Sequence, residues 1–462
     1  MSDDFGVVIL AAGMGTRMKS STPKVLHKIF DKTLLEYTIE ASIEAGAKKI
    51  VIVTGHKEEM VQKVVKNANF VGQGTKAEIV FAHQDKQEGT GHAVKMAVPY
   101  LTGIKQTVVL YGDCPLITPQ TLKSVVDNQR ETNSKFSLVS VMMDDPTGYG
   151  RIIRDDAGHL IKITEQKDAT EQEKQIKESN AGLYCFDTEV LKITLDQIKN
   201  NNANKEYYLT DTLELTLGLS HKASAVVSDS PDDLYGINSR VQLAFATKIM
   251  QKRINEKLMI AGVTMIDPDT AYISSDVRIG QDTVIHPNVT ISNGTQIGEG
   301  CEIGSGTNIT ACKIGDDTTI DHSVLTQATI GDRTSVGPFA YLRPGCVVGD
   351  DCRIGDFVEV KNSTIGNGSK ASHLSYIGDA EIGKNVNLGC GIVTVNYDGK
   401  NKFKTIVGDD AFIGCNSNLV APVTVEKGSY VAAGTTVTNN VPAGSLAIGR
   451  SRQVIKENWS RK

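Results

Sequence analysis

The chain has 462 residues, which is too many for a single hydrophobic core, so at least two domains are expected. Its formal net charge is −5, and it has neither a basic tract nor a basic amphipathic helix, which argues against nucleic acid and membrane surfaces as partners. Its eight cysteines include no C-x-x-C pair, so a zinc site is not expected. The start of the chain lacks the features of a signal peptide and no apolar run is long enough to span a membrane, which favours a cytoplasmic protein with reduced thiols.

The first half of the chain predicts an α/β domain. Residues 6–10 (GVVIL) are typical of a buried strand and run into the glycine-rich turn AAGMGTRM. Helix-like and strand-like segments then alternate, which predicts a mostly parallel sheet covered by helices on both faces. These segments are 34–45, 50–54, 57–67, 92–101, 107–111 and 121–131, followed by strand-like pieces at 136–143, 151–153, 160–165 and 182–186.

Two further segments complete this half. The charged stretch 167–179 predicts a surface loop or short helix, and residues 232–261 predict a helix that connects two domains. The predicted division is residues 1–240 for the first domain, 241–261 for the linker helix and 262–462 for the second domain with its tail.

The second half repeats with a period of six. An aliphatic residue followed by glycine recurs from Ile279 onward, and this period fits neither an amphipathic helix nor an alternating strand. It predicts a parallel β-helix from about 263 to about 448, in which one aliphatic side chain per hexapeptide points inward. The rhythm slips near 309–314, 320–330 and 360–365.

One interruption of the repeat is larger than the others. Residues 395–406 (VNYDGKNKFKTI) are polar and basic, which indicates a loop ejected from a corner of the solenoid. Loops on a rigid scaffold commonly carry function. The tail 449–462 is basic and holds the only tryptophan, Trp459.

The glycine-rich turn after the first strand predicts an anion site. A strand that leads through such a turn into a helix presents backbone N–H groups at the edge of the sheet. The turn, residues 10–18, lacks the Gly-Lys-Ser/Thr of a Walker A loop, and Met18 replaces the third glycine of a dinucleotide fingerprint. Taken alone, it is equally compatible with an ordinary tight turn.

Neighbouring residues favour the phosphate-binding interpretation. Lys24 follows a proline shortly after the turn and supplies a cation for the same phosphates. Gln84 and the run Gly89–His92 predict a second loop of small residues. Asp113 ends a strong strand beside the first loop, where a carboxylate suits Mg²⁺ that is otherwise held by phosphate oxygens and water.

Several motifs together resemble a known family. LAAGMGTRM followed by Pro-Lys looks like the signature of sugar-phosphate nucleotidyltransferases. With the hexapeptide half added, the whole chain resembles the bacterial bifunctional N-acetylglucosamine-1-phosphate uridyltransferase/glucosamine-1-phosphate acetyltransferase family. The further motifs that carry this resemblance are GTGHA, YGD, GYGRI (148–152), EQKDAT (165–170), Asn180-Ala181-Gly182 and Gly236-Ile237-Asn238.

The resemblance implies a fold and a first site. The fold class is α/β: a Rossmann-like nucleotidyltransferase domain, a connecting helix and a left-handed parallel β-helix. In the first site, Mg²⁺ assists attack of the phosphate of N-acetylglucosamine 1-phosphate on the α-phosphorus of UTP, and pyrophosphate leaves without a protein nucleophile. The residues implied are Leu10, Ala11, Ala12, Gly13, Gln84, Gly89, Thr90, Tyr111 and Gly112 for the nucleotide, Arg17 and Lys24 for its phosphates, Asp113 and Asn238 for Mg²⁺, and Gly150, Glu165 and Asn180 for the sugar.

Residues 341–376 predict a second site. A lone histidine on a β-helix is usually a surface residue, and lone basic residues are usually solvated. Here Tyr341, Arg343, Lys361, His373 and Tyr376 fall one or two coils apart, and equivalent positions of successive coils lie about 4.8 Å apart. The cluster and the nearby ejected loop therefore favour a functional site.

The resemblance makes this second site an acetyltransferase. His373 would be the general base that removes a proton from the amine of glucosamine 1-phosphate, and its orienting partner is not evident from the sequence. The backbone N–H of Cys390 would stabilise the oxyanion, and because Cys390 and Cys415 border a thioester pocket, sensitivity to thiol reagents is expected. The binding residues implied are Arg343, Lys361, Tyr376, Asn387 and Lys402 for the sugar phosphate, and Cys390, Asn396, Tyr397, Cys415, Ala433 and Arg450 for acetyl-CoA.

The resemblance also implies a homotrimer with acetyl sites shared between neighbouring copies. Two alternatives remain: a monofunctional hexose-1-phosphate nucleotidyltransferase whose β-helix is structural or regulatory, and a non-catalytic scaffold that has lost both activities. Loss of His373 and the 395–406 loop would have favoured the first, and loss of Asp113 or Lys24 the second. All of these residues are present.

Overall fold

The computed structural model describes residues 5–68, 70 and 77–459, so the last three residues of the predicted tail lie outside it. The chain forms two compact units, Met1–Met250 and Gln251–Lys462. The division into a first domain, a linker helix and a second domain stays a prediction. No helix within the described ranges has both the length and the hydrophobicity needed to cross a membrane.

The first unit is built on a nine-stranded mixed sheet, with a separate two-stranded hairpin formed by β2 and β3. The strands of this unit are β1 (Phe5–Leu10), β2 (Lys28–Ile29), β3 (Lys32–Thr33), β4 (Lys49–Thr54), β5 (Glu78–His83), β6 (Gln106–Tyr111), β7 (Phe136–Met142), β8 (Arg151–Arg154), β9 (Leu160–Thr164), β10 (Glu178–Asp187) and β11 (Ala223–Val227). The helices are α1 (Leu34–Glu44), α2 (Glu58–Asn67), α3 (Thr90–Ala97), α4 (Pro119–Glu131), α5 (Thr188–Leu195), α6 (Thr212–Gly218) and α7 (Arg240–Ile260).

The prediction of an α/β domain with alternating helices and strands is confirmed. The main path of the sheet is β11-β7-β10-β6-β1-β4-β5, and β1 pairs in parallel with both β4 and β6. Strand β10 departs from the predicted mostly parallel arrangement because it runs antiparallel to β6, β7 and β8. The stretch 167–179 contains a short 3₁₀ turn and the first two residues of β10, and the helix predicted over 232–261 begins at Arg240.

Strand β1 is buried on both faces of the sheet. Val7 and Ile9 belong to one apolar core, whereas Val8 points into the core on the opposite face. Burial on both sides explains why residues 6–10 form a continuous apolar run instead of alternating with polar residues. Leu10 pairs with Tyr111 at the carboxyl ends of β1 and β6, so the loops that follow these two strands meet at one edge of the sheet.

The second unit is a parallel β-helix of short strands. Within the described residues, nineteen of them form one continuous sheet and nine form another. The strands are β12 (Thr264–Met265), β13 (Tyr272–Ile273), β14 (Arg278–Ile279), β15 (Val284–Ile285), β16 (Thr290–Ser292), β17 (Gln296–Ile297), β18 (Glu302–Ile303), β19 (Asn308–Thr310), β20 (Lys313–Ile314), β21 (Thr319–Ile320), β22 (Val324–Thr326), β23 (Thr329–Ile330), β24 (Ser335–Val336), β25 (Tyr341–Leu342), β26 (Val347–Val348), β27 (Arg353–Lys361), β28 (Thr364–Ile365), β29 (Lys370–Gly378), β30 (Ala380–Ile382), β31 (Asn387–Leu388), β32 (Val393–Val395), β33 (Thr405–Val407), β34 (Phe412–Ile413), β35 (Asn418–Val420), β36 (Val423–Val425), β37 (Tyr430–Val431), β38 (Thr436–Val437) and β39 (Leu446–Ala447).

The strand registers show the length of each coil. Val284 pairs with Glu302, so one regular coil consists of three hexapeptides. Where the rhythm slips, the coil is shorter, because Asn308 already pairs with Val324. Across the ejected loop the coil is longer than the regular one, because Val393 pairs with Asn418. The handedness of the coil stays a prediction.

A column of glycines at one corner leaves room for polar side chains of the following coil. A Cβ placed on Gly331 would lie 2.7 Å from both the backbone nitrogen of Asp350 and the carbonyl carbon of Gly349, and closer still to Oδ1 of Asp350. That Oδ1 accepts a hydrogen bond from the backbone N–H of Asp332 at 3.0 Å. Glycine is required here because the carboxylate caps the turn of the coil before it. Four other glycines have the same relation to an aspartate or asparagine: Gly298, Gly315, Gly349 and Gly383.

We expect Gly331→Ala to destabilise the β-helix by about 1–3 kcal/mol, because its methyl group would overlap backbone atoms that cannot rotate away. The unfolding transition of the second unit, followed by chemical denaturation, measures the effect. Gly218→Ala is the control, since a Cβ at Gly218 meets no atom within 4 Å. An unchanged transition in Gly331→Ala would contradict the role of the glycine column.

Candidate active sites

The loop after β1 packs against Lys24. Gly15 has a φ of 61°, and a Cβ there would lie 2.6 Å from Cβ of Lys24, so this position requires glycine on both conformational and steric grounds. Gly13 has open space where its side chain would be. Gly13 therefore faces a cavity, and Gly15 allows the loop to pack directly against Lys24.

Lys24 is the centre of a cluster drawn from distant parts of the first unit. Its ammonium group forms an ion pair with Asp113, whose side chain is almost completely buried. The same Nζ donates a hydrogen bond to Oδ1 of Asn238 at 3.0 Å, and Arg17 donates to that oxygen at 2.8 Å. A carboxylate and an amide oxygen therefore converge on the ammonium group of Lys24, whereas the resemblance assigned these two oxygens to Mg²⁺.

Asp113 and Asn238 suit a divalent metal with few protein ligands. Their two oxygens already meet at a positively charged group, the ammonium of Lys24. Among the described residues there is no cluster of three or more histidine, cysteine, aspartate or glutamate side chains that could enclose a metal. A metal at this position would complete its coordination with phosphate oxygens and water, which is typical of Mg²⁺.

Two cavities meet at this cluster. One, of about 300 Å³, lies over the loop after β1, and the other, of about 420 Å³, lies beside Arg17 and Asn238. Lys24, Tyr111 and Asp113 line both. The other predicted residues in the first cavity are Leu10, Ala11, Ala12, Gly13, Gln84, Gly89 and Thr90. Those in the second are Arg17, Gly150, Glu165, Asn180 and Asn238. Gly112 lines neither cavity; it lies in the core, where a Cβ would lie 3.2 Å from Leu35.

The second small-residue loop is tied to the first. Gln87, which the sequence did not single out, donates a hydrogen bond from Nε2 to the backbone oxygen of Ala12 at 2.5 Å. Gln84 donates to the backbone oxygen of Gly89 at 3.3 Å. Gly89 has a φ of 117°, and a Cβ there would lie 2.6 Å from the backbone oxygen of Tyr207. These contacts give the first cavity a fixed wall opposite the β1 loop.

The second cavity has a basic end and an acidic end. Lys24 and Arg17 line it together around Asn238, and Glu165 lines it beside Gly150. Burial raises the pKa of Glu165 above its usual value, even though Thr210 donates a hydrogen bond to its carboxylate at 3.2 Å. Burial, together with the charges of Glu214 and Glu165, raises the pKa of neighbouring Asp211 to about 6. An anionic group is therefore favoured at the lysine end, and neutral hydroxyl or amide groups at the glutamate end.

His373 has an orienting partner that the sequence did not reveal. Its Nδ1 lies 2.7 Å from Oδ1 of Asp356, which occupies the paired position on the preceding coil. The hydrogen bond from His373 lowers the pKa of Asp356, which favours an ionised carboxylate. A carboxylate can only accept a hydrogen bond, so Nδ1 is the donor and carries the proton. That tautomer leaves Nε2 as the basic nitrogen. The signal was present in the sequence, because Asp356 precedes His373 by the local length of one coil.

Basic side chains gather beside the ejected loop. The pKa of Lys402 is lowered, chiefly by the adjacent side chain of Lys361, and the carboxylate of Asp379 partly opposes this effect. The charges of both lysines favour the ionised form of Asp379. Arg343 forms an ion pair of 2.9 Å with Glu359. Two lysines that share one carboxylate leave a net positive charge, so this pair is suited to binding phosphate.

The base of the ejected loop is anchored in the same region. Asn396 is buried and donates a hydrogen bond to Asp379 at 2.5 Å, and its amide lies 3.5 Å from the hydroxyl group of Tyr376. Tyr397 pairs with Lys402 in an antiparallel bridge, which folds the loop into a hairpin. The hairpin thus holds Lys402 over the coil that carries Tyr376.

The remaining predicted residues form two further groups. Cys390 and Cys415 occupy equivalent positions of successive coils, and Arg450 donates a hydrogen bond to the backbone oxygen of Ala433 at 2.5 Å. Asn387 is half-buried and pairs with Lys370. No hydrogen bond or ion pair among the described residues joins the Ala433–Arg450 pair to His373. A single copy therefore does not bring the whole predicted acetyltransferase site together through direct bonds.

Both halves of the chain match families of known proteins. Residues 6–234 match the nucleotidyl transferase family. Residues 276–311, 327–362 and 404–439 match the bacterial transferase hexapeptide family, whose model comprises six repeats. The first match covers the first cavity and most of the second, of which Gly236, Asn238 and Gln242 lie beyond it, and the second match covers most of the β-helix.

Similar proteins extend the match to nearly the whole chain. A protein named bifunctional protein GlmU from Clostridioides difficile (strain 630) is 50% identical over 459 residues, which is 99% of this chain and 98% of that protein. Proteins of the same name from Geobacillus sp. (strain WCH70) and Clostridium acetobutylicum are 51% and 47% identical over 455 and 456 residues, which is 98% of this chain in each case and 96% and 98% of those proteins.

Proposed function

The chain belongs to the family of bifunctional GlmU proteins, and we propose that it catalyses two successive reactions. The first transfers the acetyl group of acetyl-CoA to glucosamine 1-phosphate. The second transfers UMP from UTP to the resulting N-acetylglucosamine 1-phosphate, which gives UDP-N-acetylglucosamine and pyrophosphate. The proposal is supported above all by one observation: two cavities that share Lys24 and Asp113 occur in the same chain as a His373–Asp356 pair beside two lysines.

In the uridyl transfer, UTP occupies the first cavity and the sugar phosphate the second. Their phosphates meet at Lys24 and Arg17, which neutralise part of the combined negative charge and hold the attacking oxygen in line with the α-phosphorus. The attacking oxygen is already anionic, so no protein nucleophile is required. We assign Mg²⁺ to Asp113 and Asn238, where it would neutralise further phosphate charge.

The polarity of the second cavity orients the sugar. Its phosphate points to the basic end, because the acidic wall at Glu165 would repel it. Asn180 and Glu165 then face the hydroxyl and acetamido groups. Asn180 is fixed by a hydrogen bond of 2.7 Å to the hydroxyl group of Tyr184, so its amide is pre-oriented for the ligand.

In the acetyl transfer, His373 acts as the general base. Nε2 takes a proton from the substrate ammonium group, and the free amine attacks the thioester carbon. As the C–S bond breaks, the nitrogen loses its second proton, which the departing CoA thiolate takes up to leave as the thiol. Asp356 holds the ring in the required tautomer. Lys361, Lys402 and Arg343 bind the phosphate of the sugar, and the backbone N–H of Cys390 stabilises the oxyanion.

Acetyl-CoA binding requires neighbouring copies in this proposal. Phe339, Phe357 and Leu374 occupy one corner of three successive coils, and each is more than half exposed. The rings of Phe339 and Phe357 stack with centroids 5.6 Å apart, and Leu374 directly follows His373. An exposed apolar stripe of this kind favours contact with another copy of the chain. We propose a homotrimer in which a neighbour supplies residues such as Ala433 and Arg450 to the site at His373.

UTP and acetyl-CoA are metabolites of the cell interior, so the proposed reactions place the enzyme in the cytoplasm. That setting agrees with the cysteines, all eight of which are free thiols.

The two activities are expected to fail separately. Given glucosamine 1-phosphate, acetyl-CoA, UTP and Mg²⁺, the wild type should release both CoA and pyrophosphate. Lys24→Met should reduce pyrophosphate release by at least about 10³-fold and leave CoA release within about twofold, because only the first site loses a cation. His373→Ala should reduce CoA release by about 10²–10⁴-fold.

Adding N-acetylglucosamine 1-phosphate to His373→Ala provides the control, since it should restore pyrophosphate release to the wild-type rate. Absence of CoA release from the wild type would refute the two-activity proposal. Loss of CoA release in Lys24→Met, or loss of pyrophosphate release in His373→Ala when N-acetylglucosamine 1-phosphate is supplied, would show that the sites are not independent.

The orienting role of Asp356 is tested by a pair of substitutions. Asp356→Leu removes the acceptor for Nδ1 of His373, so kcat for acetyl transfer should fall by about 10–10³-fold. Asp356→Glu retains a carboxylate acceptor and should keep more of the activity than Asp356→Leu. Equal rates in Asp356→Leu and the wild type would remove Asp356 from the mechanism.

The trimer is tested through the apolar stripe. Phe357→Asp places a charge in the proposed interface, so sedimentation equilibrium should change from three times the chain mass towards the monomer, with loss of acetyl transfer. Phe412→Asp is the control, because Phe412 is also partly exposed on the β-helix but lies outside the stripe and stacks on Tyr430. A wild type that sediments as a monomer would refute the homotrimer.

A further inference from the structure

A buried arginine stands behind the second cavity without lining it. Arg151 is the first residue of β8, and only 1% of its surface is exposed. Its guanidinium group donates hydrogen bonds to the backbone oxygen of Tyr149, to Oε1 of Gln166 at 2.8 Å and to the backbone oxygen of Lys174 at 3.5 Å. All three acceptors are neutral.

This arrangement is unfavourable for stability alone. None of the ion pairs in the described part of the chain involves Arg151, and its buried Nε has no hydrogen-bond partner. Asp145 interacts with the charge of Arg151 only at longer range. A buried charge without a directly bonded counter-ion carries a desolvation penalty that neutral acceptors only partly offset. An apolar side chain of similar size would fill the same space without this penalty. Stability alone therefore does not explain why an arginine occupies this position.

One acceptor lies on a loop that forms part of the second cavity, and a second acceptor is bonded to that loop. Residues 147–150 line this cavity, and Tyr149 is one of them. Gln166 accepts from Arg151 and, with the same Oε1, from the backbone N–H of Gly148 at 3.1 Å. Arg151 therefore holds the loop at Tyr149 directly and at Gly148 through Gln166. The far end is fixed to β10 by a hydrogen bond from the N–H of Asn180 to the oxygen of Gly150 at 2.8 Å.

We propose that Arg151 is a positioning residue that sets the 147–150 loop for the sugar phosphate in the second cavity. It acts through the loop and does not touch the substrate. The effect is selective for one substrate because none of residues 147–150 lines the first cavity, where UTP is placed. The inference rests on the proposed uridyl transfer.

Arg151→Lys in the full chain tests the proposal. Lysine keeps the positive charge but cannot donate to three acceptors in the planar geometry of a guanidinium group. We expect KM for N-acetylglucosamine 1-phosphate to rise about tenfold, while KM for UTP stays within about twofold and kcat within about threefold of the wild-type values. This pattern is expected when a variant binds the substrate and the transition state less well to the same degree.

Arg154→Lys is the matched control. Arg154 lies on the same strand, but its guanidinium group pairs with Glu178 at 2.7 Å and does not contact the loop. Both KM values should stay at the wild-type level in this variant. Acetyl transfer by the same polypeptide and the midpoint of thermal unfolding report on folding in each variant.

A second measurement covers a variant with a larger defect. Arg151→Ala leaves space for a free guanidinium ion, which should lower the raised KM for the sugar phosphate in a saturable manner, while a matched concentration of sodium ion should not. A merely structural role would not give this selective rescue.

Three outcomes would overturn the inference alone: equal KM values in Arg151→Lys and Arg154→Lys, a parallel rise in KM for both substrates, or a fall in kcat without a change in KM for the sugar phosphate. A wild type that makes no UDP-N-acetylglucosamine would instead overturn the proposed function. The two failures are therefore distinguishable.

Discussion

The register of parallel strand pairs determines which residues come together in both candidate sites. In the first unit, the pairing of Leu10 with Tyr111 brings the loops after β1 and β6 to the same edge of the sheet. In the second unit, the pairing of Asp356 with His373 sets a carboxylate beside an imidazole. A slip of one residue would send either side chain to the opposite face, so the register is a condition for the chemistry as well as for the fold.

The lysines of the two sites differ in how far their positive charge is balanced by neighbouring groups. Lys24 is paired with Asp113 and hydrogen-bonded to Asn238, so its charge is balanced within the protein and a phosphate must compete for it. Lys361 and Lys402 share the single carboxylate of Asp379, so part of their positive charge is not balanced within the protein and attracts a further anion. The first arrangement suits a position where a metal and two phosphates exchange partners, and the second suits retention of a single phosphate.

Local patterns in the sequence predicted local structure well. The strand and turn at residues 6–18, the period of six and the ejected loop all depend on neighbours in the chain, and each is found in the structure. Features that depend on distant contacts were less accessible. The antiparallel direction of β10 was missed because a strand's sequence does not encode its partner's direction. Asn238 meets Asp113 across more than a hundred residues, and only family resemblance suggested it.

Two supporting residues show which contacts could be predicted from the sequence and which could not. Asp356 could have been found by counting one coil back from His373, since a solenoid converts sequence separation into spatial proximity. Arg151 could not, because its buried position and its acceptors on a distant turn follow from the packing of β8, β9 and β10. In a repetitive fold, the partner of a catalytic side chain can therefore be predicted from sequence separation, whereas in an irregular sheet it cannot.

The loop ejected between Thr394 and Val407 has a consequence for how this enzyme family can vary. The coils on either side pair as though the loop were absent, since Val393 joins Asn418 and the next coil returns to three hexapeptides, as in the pairing of Asn418 with Thr436. The pairing of the coils thus does not depend on the length of the ejected loop. Insertions and deletions there can reshape the mouth of a binding site without moving a single core residue, so this corner is a place where new ligand preferences can arise at little risk to folding.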